Sequence, residues 1–301
     1  NGKAISVISE SGPTSTIIDC ENNERGLTFD SGEDSTSILD GFSIINGKRN
    51  HGGGIYCYYS SPIIRNCKIT NCIASGLGEG VGGGGIFLNM SDAILSELII
   101  TENTAEEGGG IHVIGGKPKI THSIISSNMS TTYSGGGLHI IENSEAYLSD
   151  LTISDNHGHW HGGLFIWTGS NVTINNSIIT GNTQNEYTGA IGVEEGAYAN
   201  LINITVTQNM TGGVSIWNGG TVNIVNSIIT NHTGEEIMAG SLDNVTPNYV
   251  SIAYSNIDGG LEEIWQQGDN NHVDYLNSNI ASDPLFIDPA SGDFRLQANS
   301  P

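Results

Sequence analysis

The chain has 301 residues, 37% hydrophobic content and 42 glycines with no period of three, so it can bury a long, thin core and is not a collagen. Nine Lys+Arg against 32 Asp+Glu give a formal charge of −23, which excludes nucleic acid as a partner and disfavours anionic membranes and polyanionic glycans. No stretch reads as a signal peptide, a lipidation signal or a membrane-inserting span.

Residues 1–47 read as the first coils, with strands expected over 4–8, 15–19, 26–29 and 37–45. The chain enters a strand at once and stops abruptly at Pro301, so further domains of a longer chain are expected. From the fifties onward one phrase recurs: a glycine run, a short alternating strand, then a second apolar run closed by asparagine. Aligned on the first apolar residue after the glycines it begins at Ile55, Ile86, Ile111, Leu138, Leu164, Ile191 and Val214, in steps of 31, 25, 27, 26, 27 and 23 residues. Aligned on the last inward residue before the asparagine it gives Ile69, Ile100, Ile125, Ile153, Ile179, Val206 and Ile229, with the same rhythm. Strands of about five residues, rich in Ile, Val and Thr and broken by Gly, Asn and Ser, stack in such a repeat as an all-β, right-handed, single-stranded parallel β-helix of about nine to ten rungs.

Residues 74–85 lengthen one rung, and their glycines predict a flexible excursion. After Thr233 the phrase decays, and 265–272 reads as loop. Residues 1–260 are therefore expected to be coils, and 261–301 a last irregular coil with a cap-like segment of the same domain. Of the four cysteines, Cys57 falls in an inward column, Cys67 and Cys72 could form a strand-end disulfide, and redox compartment stays open.

The glycine runs before an apolar strand, the phrase NSIITGN from Asn176 to Asn182, the opening NGKAISVISESGPTSTIID and the ending DPLFIDPASGDFRLQANSP resemble right-handed parallel β-helix repeat proteins with the pectate-lyase-like fold, of the large secreted or surface-anchored bacterial kind. The resemblance covers essentially the whole chain. It implies fold and a secreted or cell-surface location, but no single activity, because such coils carry lyases, hydrolases, adhesins and spacers.

Equivalent positions of successive rungs form columns. Asn103, Asn128, Asn156, Asn182 and Asn209 close successive rungs, flanked by Cys72 and His232, and predict a hydrogen-bonded amide ladder. Outward Thr and Ser residues, with Ile99, Ile124, Ile178 and Ile228 beside them, predict a flat face that could order water or pack against a partner.

A third outward column holds Tyr56, Phe87, His112, His139 and Phe165 at its first position, with Tyr58, Trp167 and Trp217 two residues on. Preceding turns add Tyr133, His157, His159, Trp160, His161 and Tyr187. A row of exposed rings suits a sugar polymer, whose faces stack on aromatics. The expected ligand-binding set is Tyr56, Tyr58, Phe87, His112, His139, Trp160, His161, Phe165, Trp167 and Trp217.

Catalysis has weaker support. No Lys or Arg lies between Ile120 and Phe294, so a lyase would need calcium or protonated histidine to neutralise a uronate. His112, His139, His159 or His161 with Tyr133 or Tyr187 could form a base and acid set. Glu106 with Glu107, Glu142 with Glu145, and Glu194 with Glu195 are adjacent carboxylates at turns or strand ends. Acidic clusters at Asp30, Glu33, Asp34 and Asp40, and at Asp283, Asp288 and Asp293, are candidate calcium (Ca2+) sites. The expectation is a non-catalytic, secreted or cell-surface binding or adhesion module for a polysaccharide or surface glycan. A carbohydrate-active enzyme and a structural stalk or fibre segment are the alternatives.

Overall fold

The computed structural model describes residues 4–76, 80–186 and 188–301. Short parallel strands pair rung on rung into sheets running the length of a solenoid. An eleven-stranded sheet A runs from Ser6–Ile8 to His272–Tyr275, a ten-stranded sheet B from Ile17–Asp19 to Asn256–Ile257, and a ten-stranded sheet C from Leu27–Phe29 to Ile264–Gln266. A six-stranded sheet D of two-residue strands, Lys48–Arg49 to Thr183–Gln184, lies between sheets B and C. From Leu27–Phe29 to Thr183–Gln184 each rung visits C, A, B and then D before a turn returns it to C, and the rungs after that visit C, A and B.

Alternation decides what is inside. In sheet C, Ile55, Cys57, Ile86, Leu88, Ile111, Val113, Leu138 and Ile140 are all fully buried in the lumen, stacked on their counterparts one rung away. The corner from sheet A to sheet B turns on one residue in left-handed backbone conformation: Asn66, His122, Asp150, Asn176, Asn203 and Asn226 have φ between +48° and +56°. Asparagine and aspartate tolerate that conformation better than other non-glycine residues, which explains the periodic Asn between apolar runs. The glycine run has its own reason. Gly135 has φ +70°, a Cβ on Gly136 would strike the His157 and Gly162 carbonyls of the next turn, and one on Gly137 would crowd the Asn156 amide.

The asparagine ladder is formed. Nδ2 of Asn103, Asn128, Asn156 and Asn182 each donates to Oδ1 of the next asparagine at 2.9–3.0 Å. Backbone N–H groups of the same residues donate to the same oxygens, and His232 Nδ1 accepts from the Asn209 N–H at 3.2 Å where the asparagines end.

The coil extends beyond the decay of its phrase. Ile264–Gln266 pairs with Ile237–Gly240, and His272–Tyr275 with Tyr249–Ala253, so strands bracket the stretch 265–272 expected as loop. The chain then forms an antiparallel hairpin of Phe286–Asp288 and Asp293–Leu296. Its buried rings Phe286 and Phe294 meet edge-on at 5.3 Å, and Gln208 Nε2 donates to the Pro289 carbonyl at 3.4 Å. Grooves are shared between this segment and Thr152, Ile178, Thr180 and Thr230, so the flat hydroxyl and isoleucine face packs against the chain's own C-terminal segment, while Ile99 and Ile124 stay exposed.

All four cysteines are free. Cys72 instead accepts from the Gly47 N–H in the ladder, and burial pushes its thiol up to about 12. No helix among the described residues is long and apolar enough to cross a membrane.

Candidate functional site

Sheet C brings the third column into register: Tyr56 pairs with Phe87, Phe87 with His112, His112 with His139, His139 with Phe165, and Phe165 with Gly192. The rings touch in series. Tyr56 and Phe87 stack at 5.5 Å, Phe87 meets His112 edge-on at 5.5 Å, His112 stacks on His139 at 4.8 Å, and His139 on Phe165 at 5.0 Å. Where Gly192 supplies no side chain, His161 from the preceding turn fills the step. A Cβ on Gly192 would overlap its ring, which meets Phe165 edge-on at 4.6 Å.

The ladder is outside the lumen but not exposed along its length, and this corrects the expected open strip. Phe87, His112, His139, His161 and Phe165 are all at most 7% exposed. Their covers are turns without periodicity. The long insertion, apart from residues 77–79, folds back instead of leaving the body: Val81 is buried against Ala74 and Ala105, Gly82 bridges to Glu107, and Gly82 lies so close over His112 that a Cβ there would overlap the imidazole. Tyr56 is half-buried beneath the Arg25 guanidinium, 4.3 Å from its ring centroid, and Tyr58 is exposed against Tyr59.

Open surface concentrates at one place beside the ladder. A cleft of about 430 Å3 is lined by His139, Phe165, Trp160, Trp167, Tyr133 and Ser134 together with Glu107, Glu194, Glu195, Asn218, Gly80 and Leu242. Trp160 and Trp167 are 45% and 37% exposed at its walls. A smaller adjoining hollow adds Trp217 and Thr188 and shares Trp160, Glu194, Asn218 and Leu242. Of the ten predicted ligand residues, the structure therefore gathers His139, Trp160, Phe165, Trp167 and Trp217 at the two hollows. It sets His112 and His161 directly behind, and leaves Tyr56, Tyr58 and Phe87 further along the ladder. Tyr187 lies outside the described residues. Asn218, Ser134 and Leu242 carried no periodic signal. The carboxylates were visible, but as neighbours in sequence, whereas the cleft draws Glu107 and Glu194 from different rungs.

The electrostatics separate these carboxylates. Glu194 Oε1 lies 3.0 Å from His161 Nε2, and burial, with a contribution from Glu195, pushes the Glu194 carboxyl up to about 7. Burial holds His161 down at about 3, with His139 adding to it, so the pair is uncharged in mildly acidic solution and gives up its carboxyl proton around neutrality. Glu195 accepts from the Asn218 amide at 2.9 Å. Glu107 Oε2 lies 3.3 Å from His139 Nδ1 and 3.7 Å from His112 Nε2, and burial, then His139, drives the His112 imidazole well below its ordinary value.

The acidic clusters read as calcium candidates are used locally. Glu33 accepts from the Ser31 N–H and the Ser60 hydroxyl, Asp34 from Thr36, Asp40 pairs with Arg65, and Asp293 with Arg295. Among the described residues, the one group of three metal-ligating side chains that converges is Glu107, His112 and His139.

No curated protein and no solved structure matches the chain. A family model described as "Right handed beta helix region" matches residues 78–229, just over half of the chain and the rungs that carry the cleft. With its stacked parallel sheets, the chain belongs to this right-handed β-helix family.

Proposed function

We propose that the protein is a secreted or cell-surface binding module that holds a neutral glycan in the cleft of sheet C. The observation that carries this reading is the pair of part-exposed indoles, Trp160 and Trp167, walling a cleft also lined by exposed Tyr133 and Leu242 and by the carboxyl and amide groups of Glu107, Glu194, Glu195 and Asn218. Indole faces bind the apolar faces of sugar rings, and carboxylates and amides accept and donate to their hydroxyls. A neutral ligand fits because no Lys or Arg lines the cleft and the chain carries −23.

A polysaccharide panel read by calorimetry and tryptophan fluorescence tests it. Trp160→Ala and Trp167→Ala should each weaken binding by about tenfold. Tyr254→Ala, an exposed ring at the sheet A–B corner, should leave it unchanged. Failure of every glycan to bind sinks the reading and leaves a structural stalk.

One observation favours a second reading, glycoside hydrolysis. Burial raises the Glu194 carboxyl to about 7, so it keeps a share of its proton near neutrality, and Glu107 lines the same cleft; a proton-bearing carboxyl opposite a second carboxyl group is what glycosidic cleavage uses. New reducing ends from a bound glycan, absent with Glu194→Gln, would replace the binding module by an enzyme; binding without product retains the module.

A further inference from the structure

We propose that Glu107, His112 and His139 form a site for a first-row divalent transition-metal ion, zinc foremost, with one coordination position open to the cleft. The three side chains each offer one ligand atom, all within 4.8 Å of one another. The separation of 3.3 Å between Glu107 Oε2 and His139 Nδ1 matches the edge of a tetrahedron with metal–ligand distances of about 2.0–2.1 Å. The 3.7 Å between Glu107 Oε2 and His112 Nε2 closes to that edge by a few tenths of an ångström of side-chain movement.

Burial without partners is the second and independent observation. His112 and His139 are 0% and 2% exposed, yet all four of their ring nitrogens are buried with no hydrogen-bond partner. Each orphaned buried polar atom has lost its water and gained nothing in exchange. Shape does not explain the choice, because the rungs on either side fill the same column with Phe87 and Phe165, which pack on the imidazoles without that cost. Two imidazoles between two phenyl rings, both turned toward one carboxylate oxygen, are what a metal ion would require and what a packing ladder would avoid.

The donor set selects the ion. Two imidazole nitrogens and one carboxylate suit zinc, cobalt or ferrous iron, whereas calcium takes six to eight oxygens. Backbone holds the ligands in place: His112 and His139 are paired residues of adjacent strands, and Glu107 is fixed by the Val81 carbonyl accepting its N–H at 3.2 Å and by its own carbonyl accepting from Gly83 at 3.0 Å. Because Glu107 and His139 also line the cleft, water or a ligand hydroxyl can reach the remaining position. The site does not rest on the glycan reading, and metal uptake is measured with no sugar present.

The test uses the whole chain stripped with chelator and titrated with Co2+ and Zn2+. One Co2+ per chain should bind, with visible ligand-field bands of a four- or five-coordinate ion that Zn2+ abolishes. Glu107→Gln and His139→Ala should weaken uptake by about 100-fold or more. His122→Ala, an exposed histidine beside Asp150, should not change it. Equal uptake by wild type and Glu107→Gln, no uptake at all, or equal occupation by Ca2+ would overturn the proposal. Circular dichroism checks that the variants fold. Should they not, X-ray absorption at the cobalt edge of the wild-type protein reads the donors directly: two imidazoles support the site, and oxygen donors alone overturn it.

Discussion

Two histidine–glutamate pairs make single residues into determinants of pH dependence. His161 with Glu194, and His232 with Glu236 at 3.3 Å, are buried, and burial is the leading cause of every shift: the glutamates rise to about 7 and about 8, the histidines fall to about 3 and about 4. A glutamate whose folded value is raised contributes fully below its ordinary value of 4.5 and loses that contribution as pH rises through 7 to 8. A histidine whose folded value is lowered contributes fully above 6.5 and loses it as pH falls through 4 to 3. Stability should therefore peak between pH 4.5 and 6.5 and fall by a few kcal/mol toward pH 8.5, a Tm drop of about 5 °C. Glu236→Gln should flatten part of the alkaline arm; a wild-type Tm constant across that range would show that folding leaves the proton affinity of these pairs unchanged. At this scale the site was only half legible. Alternation told which residues leave the lumen, but exposure depends on covers such as Gly82 over His112, and these come from turns of variable length. The glycine gap at Gly192 beside the turn His159 to His161 was a readable hint that a ring from elsewhere fills the column.

Among elements, the asparagine ladder was the most legible because it repeats with the rungs and its chemistry is self-complementary. Its energetics follow from the hydrogen bonds. Asn156 Oδ1 accepts from both the N–H and the Nδ2 of Asn128, while its own Nδ2 donates to the Ile125 carbonyl and to Asn182 Oδ1. Asn156→Ala would orphan these groups in a fully buried row, and should cost about 3–5 kcal/mol in denaturant unfolding. Asn156→Asp keeps the acceptor, loses both donors and buries a charge, so its loss should shrink on acidification. A cost below about 1 kcal/mol for the alanine variant would mean that the ladder records the turn geometry and does not hold it. The ladder also engages the side chains of Asn128 and Asn209, both in glycosylation sequons, and commits both N–H bonds of each amide to buried acceptors in the folded chain.

For the whole molecule, a solenoid is stabilised rung by rung, so its ends and middle differ in a way a globular core does not. Period and strand length identified the architecture from sequence, while the coils past Thr233 were harder to read because Ile264–Gln266 and His272–Tyr275 keep the pairing without the phrase. The two ends are unequal. In the first coil Ile5, Val7, Ile8 and Ile17 stand about half exposed, and Ser6–Ile8 pairs on one side only, with Ile38–Asp40. Toward the other end, Phe286 and Phe294 of the hairpin are buried and line hollows on the outer face of sheet B. For these 301 residues by themselves, opening should start at the first coil and travel inward, each rung exposing the apolar stack of the next. Native-state hydrogen exchange checks this: amides of Ser6–Ile8 and Ile17–Asp19 should exchange first, and those of Ile111–Ile114 and Leu138–Ile141, with rungs on both sides, last. Uniform protection along the axis would mean that all rungs open together, and fastest exchange at the hairpin end would reverse the assigned order. The slow central rungs are the ones that carry Glu107, His112 and His139, so the ladder behind the cleft should remain closed while the first coil frays.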